Sequence, residues 1–137
     1  MSIIDKFRLD NQVAVITGAG KGIGAAIARA FAEAGADVVL AARTETDLRR
    51  VAADITALGR RALVVPTDVL DFAQLQGLAD ATMEHFGRID ILVNNAGGFP
   101  PKPVAHTTAR EFEGAFRFNV STAFELSRIC APLMVDG

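Results

Sequence analysis

The run Thr17-Gly18-Ala19-Gly20-Lys21-Gly22-Ile23-Gly24 brings four glycines and a lysine to the point where an apolar β-rich stretch gives way to a helical repeat. Those residue types suit an anion. Glycines let the backbone approach a phosphate closely, and the free N–H groups at a helix start carry partial positive charge. The spacing does not fit a P-loop, because Gly20-Lys21 is followed by Gly22 where a magnesium-holding Ser or Thr would stand. Read from Gly20 the run is Gly-x-Gly-x-x-Ala, a match to the general dinucleotide fingerprint. Read from Gly18 it is Gly-x-Gly-x-Gly, which also satisfies the turn of S-adenosylmethionine methyltransferases.

About 20 residues past such a turn, NAD-binding folds place an acid that grips the ribose hydroxyls. Here the position carries Ala42-Arg43. A guanidinium offers a 2′-phosphate bidentate, charge-assisted hydrogen bonds, where an acid would repel it. Arg43 therefore points to NADP, while Glu45 close by speaks against it. The bland alternatives are a solvated helix start for Arg43 and a merely exposed lysine for Lys21. Further along stand Asp68-Val69, Asn94-Asn95-Ala96-Gly97 and Asn119. Asp68 could cap a helix, and the asparagine pair could be turn chemistry. An Asn on an otherwise apolar helix face is harder to set aside, since a buried polar group costs on the order of 1 to 3 kcal/mol if unpaired.

Apolar periodicity supplies the elements that must position these residues. Val13 to Ile16, Ala36 to Ala42, Ala62 to Val65 and Ile89 to Val93 read as buried parallel strands. Between them Ile23, Ala26, Ile27, Ala30, Phe31 and Ala34, then Leu48, Val51, Ala52, Ile55 and Leu58, then Phe72, Leu75, Leu78, Ala79 and Phe86 recur at helical spacing. Gly35, Gly59 and Gly87 close the three helices. A loop rich in Gly and Pro follows Asn94. Thr108 to Met134 reads as one long helix with Phe112, Phe116, Val120 and Ala123 on a shared stripe. Alternating strands and helices with right-handed crossovers predict an α/β, Rossmann-type doubly wound parallel sheet of order 3-2-1-4, with a crevice beyond the carboxyl ends of the strands. No composition break divides residues 1–137, so one domain is expected, incomplete at its C-terminus. Strand four is expected to lack a partner on its outer edge.

Read from Thr17, the glycine turn is Thr-Gly-x-x-x-Gly-x-Gly, and with Asp68-Val69, Asn94-Asn95-Ala96-Gly97 and Asn119 in order and register the chain resembles the short-chain dehydrogenase/reductase family from about Asn11 onward. The resemblance implies a cofactor site of Thr17, Gly18, Lys21, Gly22, Ile23, Gly24, Arg43, Asp68, Val69, Asn94, Ala96 and Gly97. In it Asp68 accepts from the adenine amino group, and Asn94 to Gly97 line the cofactor ribose and steady the centre of the sheet. It makes Lys21 a second cation for the 2′-phosphate and Asn119 the catalytic-tetrad asparagine. It further implies NADP as cofactor, an alcohol or ketone as substrate, and a homo-oligomer, tetramer or dimer, in the complete protein. The loop Gly97 to Pro103 is similar to one in the family's hydroxysteroid dehydrogenases. The family's general acid is a Tyr-x-x-x-Lys tyrosine downstream of this segment. The 137 residues contain no tyrosine, so the chain alone is expected to bind cofactor without turnover. A non-catalytic NADP-binding module is the alternative, and a methyltransferase a remote one, since that class usually puts an acid where Arg43 stands.

Composition bounds the rest. Half the residues are apolar, 22% are charged, and the net charge is −2. That balance excludes disorder and offers no broad positive field for nucleic acid or anionic lipid. No apolar run approaches the ~20 residues of a membrane span. No secretory leader is evident, and one cysteine, Cys130, allows no intrachain disulfide. The cytoplasm is the expected location, and no metal is expected. His85 near a helix end, His106 in a polar loop and Cys130 as a small apolar filler or interface residue are not read as sites.

Overall fold

The computed structural model describes residues 1–136. Four strands, β1 (Val13–Thr17), β2 (Asp37–Ala42), β3 (Ala62–Pro66) and β4 (Ile91–Val93), form a parallel sheet in the order β3-β2-β1-β4. The register sets Val15 between Val39 of β2 and Leu92 of β4. All five residues of β1 are buried. A strand covered on both faces has no polar side to show, which is why its sequence is continuously apolar.

Successive residues of a strand face opposite ways, and the two faces build two cores. Ile16, Val38 and Leu40 pack with Ala25, Ala28 and Ala32 of α1 (Gly22–Glu33) and with Leu48, Val51 and Ile55 of α2 (Glu45–Ala57). On the other face Val13, Val15, Val39 and Ala41 pack with Leu75 and Leu78 of α3 (Phe72–Phe86) and with Leu126, Ile129 and Cys130 of α5 (Thr122–Cys130). Each fully buried Leu, Ile or Val contributes roughly 1.5 to 3 kcal/mol. Asp71 caps α3 by accepting from Ala73 N at 3.1 Å.

Two expectations are corrected. The buried face of α1 is Gly24, Ala25, Ala28 and Ala32; Ile23, Ala26 and Ala30 are exposed, and Ile27 and Phe31 only flank the contact. The repeat is right and its phase is off by one residue, because small residues are what let the helix approach the sheet closely.

The final segment is helical without a break from Ala109 to Leu133, as expected, but it is not a regular α-helix. It runs as α4 (Ala109–Phe116), a π turn (Arg117–Ser121) and α5, then a short 3-10 turn (Ala131–Leu133) whose Pro132 has no N–H to continue the helical ladder. Phe112, Phe116 and Val120 of the expected stripe are exposed, and Phe124 with them. Beyond the turn Met134 forms a parallel bridge to Ile89, and Val135 N donates to Ile89 O at 3.1 Å. This isolated bridge lies outside the strand, and β4 stands at the edge of the sheet with no strand beyond it among the described residues, as expected. Ile89 belongs to that bridge and β4 proper starts at Ile91.

Candidate functional site

The carboxyl ends of β1, β2, β3 and β4 open into a cavity of about 330 Å³. Gly18, Gly20 and Lys21 form one wall, Arg43, Thr44 and Asp47 a second, Asp68, Val69 and Leu70 a third, and Ala96, Gly97 and Phe118 the last. Seven of the expected residues therefore meet here: Gly18, Lys21, Arg43, Asp68, Val69, Ala96 and Gly97. Thr17, Gly22, Ile23, Gly24, Asn94 and Asn119 are not among the residues that line the cavity, and Ile23, in the first turn of α1, is 73% exposed.

The glycine turn is held by contact as much as by conformation. A Cβ on Gly24 would stand 2.1 Å from Gly18 O and 2.6 Å from Asn95 Nδ2, so α1 starts directly against the turn. Lys21 precedes the helix as its N-cap in extended backbone and supplies no side-chain cap. The first N–H groups of a 12-residue helix are thus left for an outside acceptor.

Thr17 fastens the turn to the loop after β4. Its Oγ1 accepts from Asn95 N and Ala96 N, each at 3.0 Å, and Asn95 Nδ2 donates to Thr17 O at 3.1 Å and Gly18 O at 3.2 Å. Asn94 takes a different direction, donating to Ser127 Oγ on α5 at 3.0 Å. Of the pair, Asn95 is the residue that sets the turn's position, and the sequence reading did not single it out as a site residue. Its signal was only its place beside Asn94.

Asn119 sits inside the π turn and is exposed. Its Oδ1 accepts from Gly98 N at 2.8 Å, and its Nδ2 donates to Gly98 O at 3.0 Å and Ala115 O at 2.8 Å. The side chain thereby holds the glycine loop and also takes up a carbonyl of α4 beside the widened turn. A Cβ on Gly97 would stand 2.5 Å from Asn119 Oδ1.

The charges of the site divide clearly. Among the described residues neither Lys21 nor Arg43 makes an ion pair. Glu45 is paired with Arg49, which removes it as a competitor for Arg43, and Asp47 stands 3.5 Å from Arg50. Thr44 is the N-cap of α2 and makes no side-chain cap bond, unlike Thr108, whose hydroxyl and Glu111 complete a capping box on α4. Thr44 and Asp47, the latter three residues on, were absent from the sequence reading although Thr44-x-x-Asp47 has the capping-box pattern. Asp68 does not cap α3; its Oδ1 accepts from Leu70 N at 3.0 Å. Its other carboxylate oxygen has no partner among the described residues.

The glycine wall and the start of α1 offer backbone N–H groups that suit a pyrophosphate, and Lys21 and Arg43 add two cations to the cavity's lining. Cys130 lies outside this site, fully buried, and burial pushes its thiol up to about 11.

Residues 12–137 match the model of the short chain dehydrogenase family. An uncharacterized oxidoreductase of Mycobacterium tuberculosis is 48% identical over 134 residues, which are 98% of this chain and 51% of that protein. The solved structure of a 7α-hydroxysteroid dehydrogenase complexed with NADH and 7-oxo glycochenodeoxycholic acid superposes with a TM-score of 0.92 at 42% identity, covering 98% of this chain and 52% of that one. The L-sorbose reductase of Gluconobacter frateurii, complexed with NADPH and L-sorbose, gives a TM-score of 0.88 at 34% identity, covering 93% of this chain and 49% of that one. The chain spans about half the length of the relatives it matches.

Proposed function

Because the chain belongs to the short-chain dehydrogenase family, we propose that it is the cofactor-binding portion of an NADP(H)-dependent oxidoreductase acting on a small alcohol or ketone. The observation that carries NADP is the convergence on one cavity of Lys21 and Arg43, both exposed and, among the described residues, free of ion pairs. The adenosine end lies by Asp68 and Val69, and the pyrophosphate by the turn from Gly18 to Gly24 and the start of α1. The nicotinamide, when bound, supplies or accepts the hydride. The chain's own residues hold and orient: Thr17 and Asn95 set the glycine turn, and Asn119 sets the loop at Gly98. Gly97 to Pro103 stands on the substrate side of this arrangement, and the likeness to a hydroxysteroid dehydrogenase supports a bulky alicyclic alcohol or ketone there.

The same reading places the protein in the cytoplasm as a homo-oligomer, dimer or tetramer. Phe112, Phe116, Val120 and Phe124, each at least 45% exposed along one helical stretch, support association between copies. Among the described residues no helix is long and apolar enough to cross a membrane.

Titration of NADPH and NADH into wild type and Arg43→Asp tests the cofactor assignment. NADPH binds more tightly to wild type, and the preference falls or reverses in the variant. Equal wild-type affinities, or a preference the variant keeps, would overturn it.

A further inference from the structure

Glu111, the third residue of α4, divides its carboxylate between two tasks. Its Oε2 accepts from Thr108 N at 2.8 Å while its own N–H donates to Thr108 Oγ1 at 3.1 Å, the reciprocal pair that caps the helix. Its Oε1 accepts from Lys102 Nζ at 2.6 Å, nine residues back in the chain. Hydrogen bonds from Lys102 and then from Thr108 N hold the carboxyl below the usual carboxylate range, so it is ionised at neutral pH.

The loop between β4 and α4 is otherwise anchored at two places. Asn119 holds both backbone polar groups of Gly98. Pro103 O accepts from His106 N at 2.9 Å and from Thr107 Oγ1 at 3.0 Å around a short 3-10 turn (Val104–His106). Between these points run Phe99, Pro100, Pro101 and Lys102, all exposed, and among the described residues their single hydrogen bond is the one from Lys102 to Glu111. Prolines hold φ at about −65°, and Pro103, at φ −58° and ψ 140°, is in the extended polyproline conformation. A stretch this stiff moves as one piece, so a strut at Lys102 sets where Phe99 stands.

Both side chains of the pair are partly exposed, at 38% and 42%, and an exposed ion pair adds little to global stability. Loop conformers are close in free energy, since few contacts separate them. A bond too weak to matter for folding can therefore choose among them. We propose that Glu111 is a positioning residue: through Lys102 it holds Phe99–Pro101 as a preset apolar arch, next along the chain from the cavity-lining Gly97. The arch is a fixed wall beside the substrate and not a lid that closes over it. Its meeting the substrate rests on the proposed function, whereas the strut stands without it. A wall set in advance selects by shape and spares the ligand the entropy of ordering a loop.

The chain has no tryptophan or tyrosine, so Phe99→Trp puts a single indole on the arch. Its quenching by acrylamide is measured in the ligand-free chain, alone and with Lys102→Met, Lys102→Arg or Glu111→Gln added. Glu111→Gln keeps an oxygen for Thr108 N, so α4 stays capped, but removes the charge that holds Lys102. Lys102→Met and Glu111→Gln each raise the quenching constant roughly 1.5- to 2-fold with little change in melting midpoint, and Lys102→Arg does not. Salt raised from about 0.01 to about 1 M, which shortens the Debye length from about 30 Å to about 3 Å, raises quenching where the pair is intact and not where it is removed. Equal quenching in all four proteins, or the same response to salt with and without the pair, overturns the strut. Where Phe99→Trp itself lowers the melting midpoint, ¹⁵N relaxation of the Phe99 N–H takes its place: the order parameter is about 0.85 with Lys102 and below about 0.6 with Lys102→Met. A low order parameter in the protein with both Lys102 and Glu111 shows a mobile lid and also overturns the proposal. Failure to bind NADPH overturns the proposed function alone, because every one of these readings is made without ligand.

Discussion

Thr17 and Asn95 are joined in both directions: Thr17 Oγ1 accepts from the Asn95 backbone N–H at 3.0 Å, and the Asn95 side-chain amide donates to Thr17 O at 3.1 Å. Since Thr17 ends β1 and Asn95 follows β4, this pair locks the glycine turn to the neighbouring loop from within the sheet. Thr17 is buried, so Thr17→Val leaves the N–H groups of Asn95 and Ala96 without their acceptor at nearly unchanged volume. The expected cost is about 1 to 3 kcal/mol. Denaturant unfolding measures it, and Thr17→Ser restores most of it. A Thr17→Val as stable as wild type would remove the pair from the account.

Asp68 and Arg43 border the same cavity at different parts of the proposed ligand. Asp68→Asn keeps an oxygen for Leu70 N but turns the free carboxylate oxygen into a donor. NADPH and NADH both carry the adenine, so both weaken, by roughly 1 to 3 kcal/mol. A loss confined to NADPH would put Asp68 at the wrong end of the site. Fluorescence titration of both cofactors reads the difference.

Gly22 and Gly24 are two residues apart and are needed for different reasons. Gly22 has φ +59° and open space around its would-be Cβ, so Gly22→Ala costs the backbone term alone, roughly 1 to 2 kcal/mol. Gly24→Ala drives a methyl into Gly18 O and must displace α1 from the turn. It is expected to cost more than Gly22→Ala and to abolish dinucleotide binding in whatever fraction folds. Thermal melts with and without NADPH separate the two effects.

Asp37 opens β2 with its side chain 2% exposed and is paired with Arg60 and Arg61 at 3.0 and 2.6 Å. Burial opposes ionisation, but hydrogen bonds from the Arg61 side chain and backbone, with the charges of both arginines, outweigh it and hold the carboxyl below the usual carboxylate range. With the folded pKa depressed, the unfolded chain binds the extra proton. Stability from this group is therefore present above the ordinary Asp value of about 4 and is lost as pH falls through the lower folded value. Asp37→Asn lowers stability at pH 7 by roughly 1 to 3 kcal/mol and flattens its decline below about pH 4. Urea midpoints of both proteins from pH 7 to pH 3 check the slope.

Cys130, fully buried and with its thiol raised to about 11, resists alkylation by iodoacetamide at pH 8 in the native protein and reacts on unfolding. Mass measurement before and after adding denaturant reads this directly. Rapid native labelling would show that α5 is loosely packed against the sheet.

Local sequence determined the strands, three of the helices and their order in the sheet, because each is a short-range regularity. Val13 to Ile16 is continuously apolar since both its faces are covered. Gly87 stops α3 in a left-handed conformation. Right-handed crossovers leave little choice of strand order. Gly18, Lys21, Arg43, Asp68, Val69, Ala96 and Gly97, which the structure brings to one cavity, were legible as residue types at fixed distances from strand ends.

Tertiary structure decided whatever depended on two segments meeting. The phase of α1 is set by how closely Gly24 can approach Gly18, which a periodicity of 3.6 cannot register, as Ile27 and Phe31 carry more apolar weight than the alanines that make the contact. Nothing local marks Asn95 rather than Asn94 as the residue that holds the turn, since its partners Thr17 and Gly18 lie more than 75 positions earlier. The π turn is invisible in a repeat of apolar residues because what stabilises it, Asn119 on Gly98 and Arg117 on Phe72, is long-range. Residues 131–134 leave the helix because Pro132 interrupts the ladder and Ile89 offers Met134 a partner. Short-range regularity fixes the conformation of a segment, whereas hydrogen bonds and steric contacts between distant segments choose which of its faces and side chains do the work.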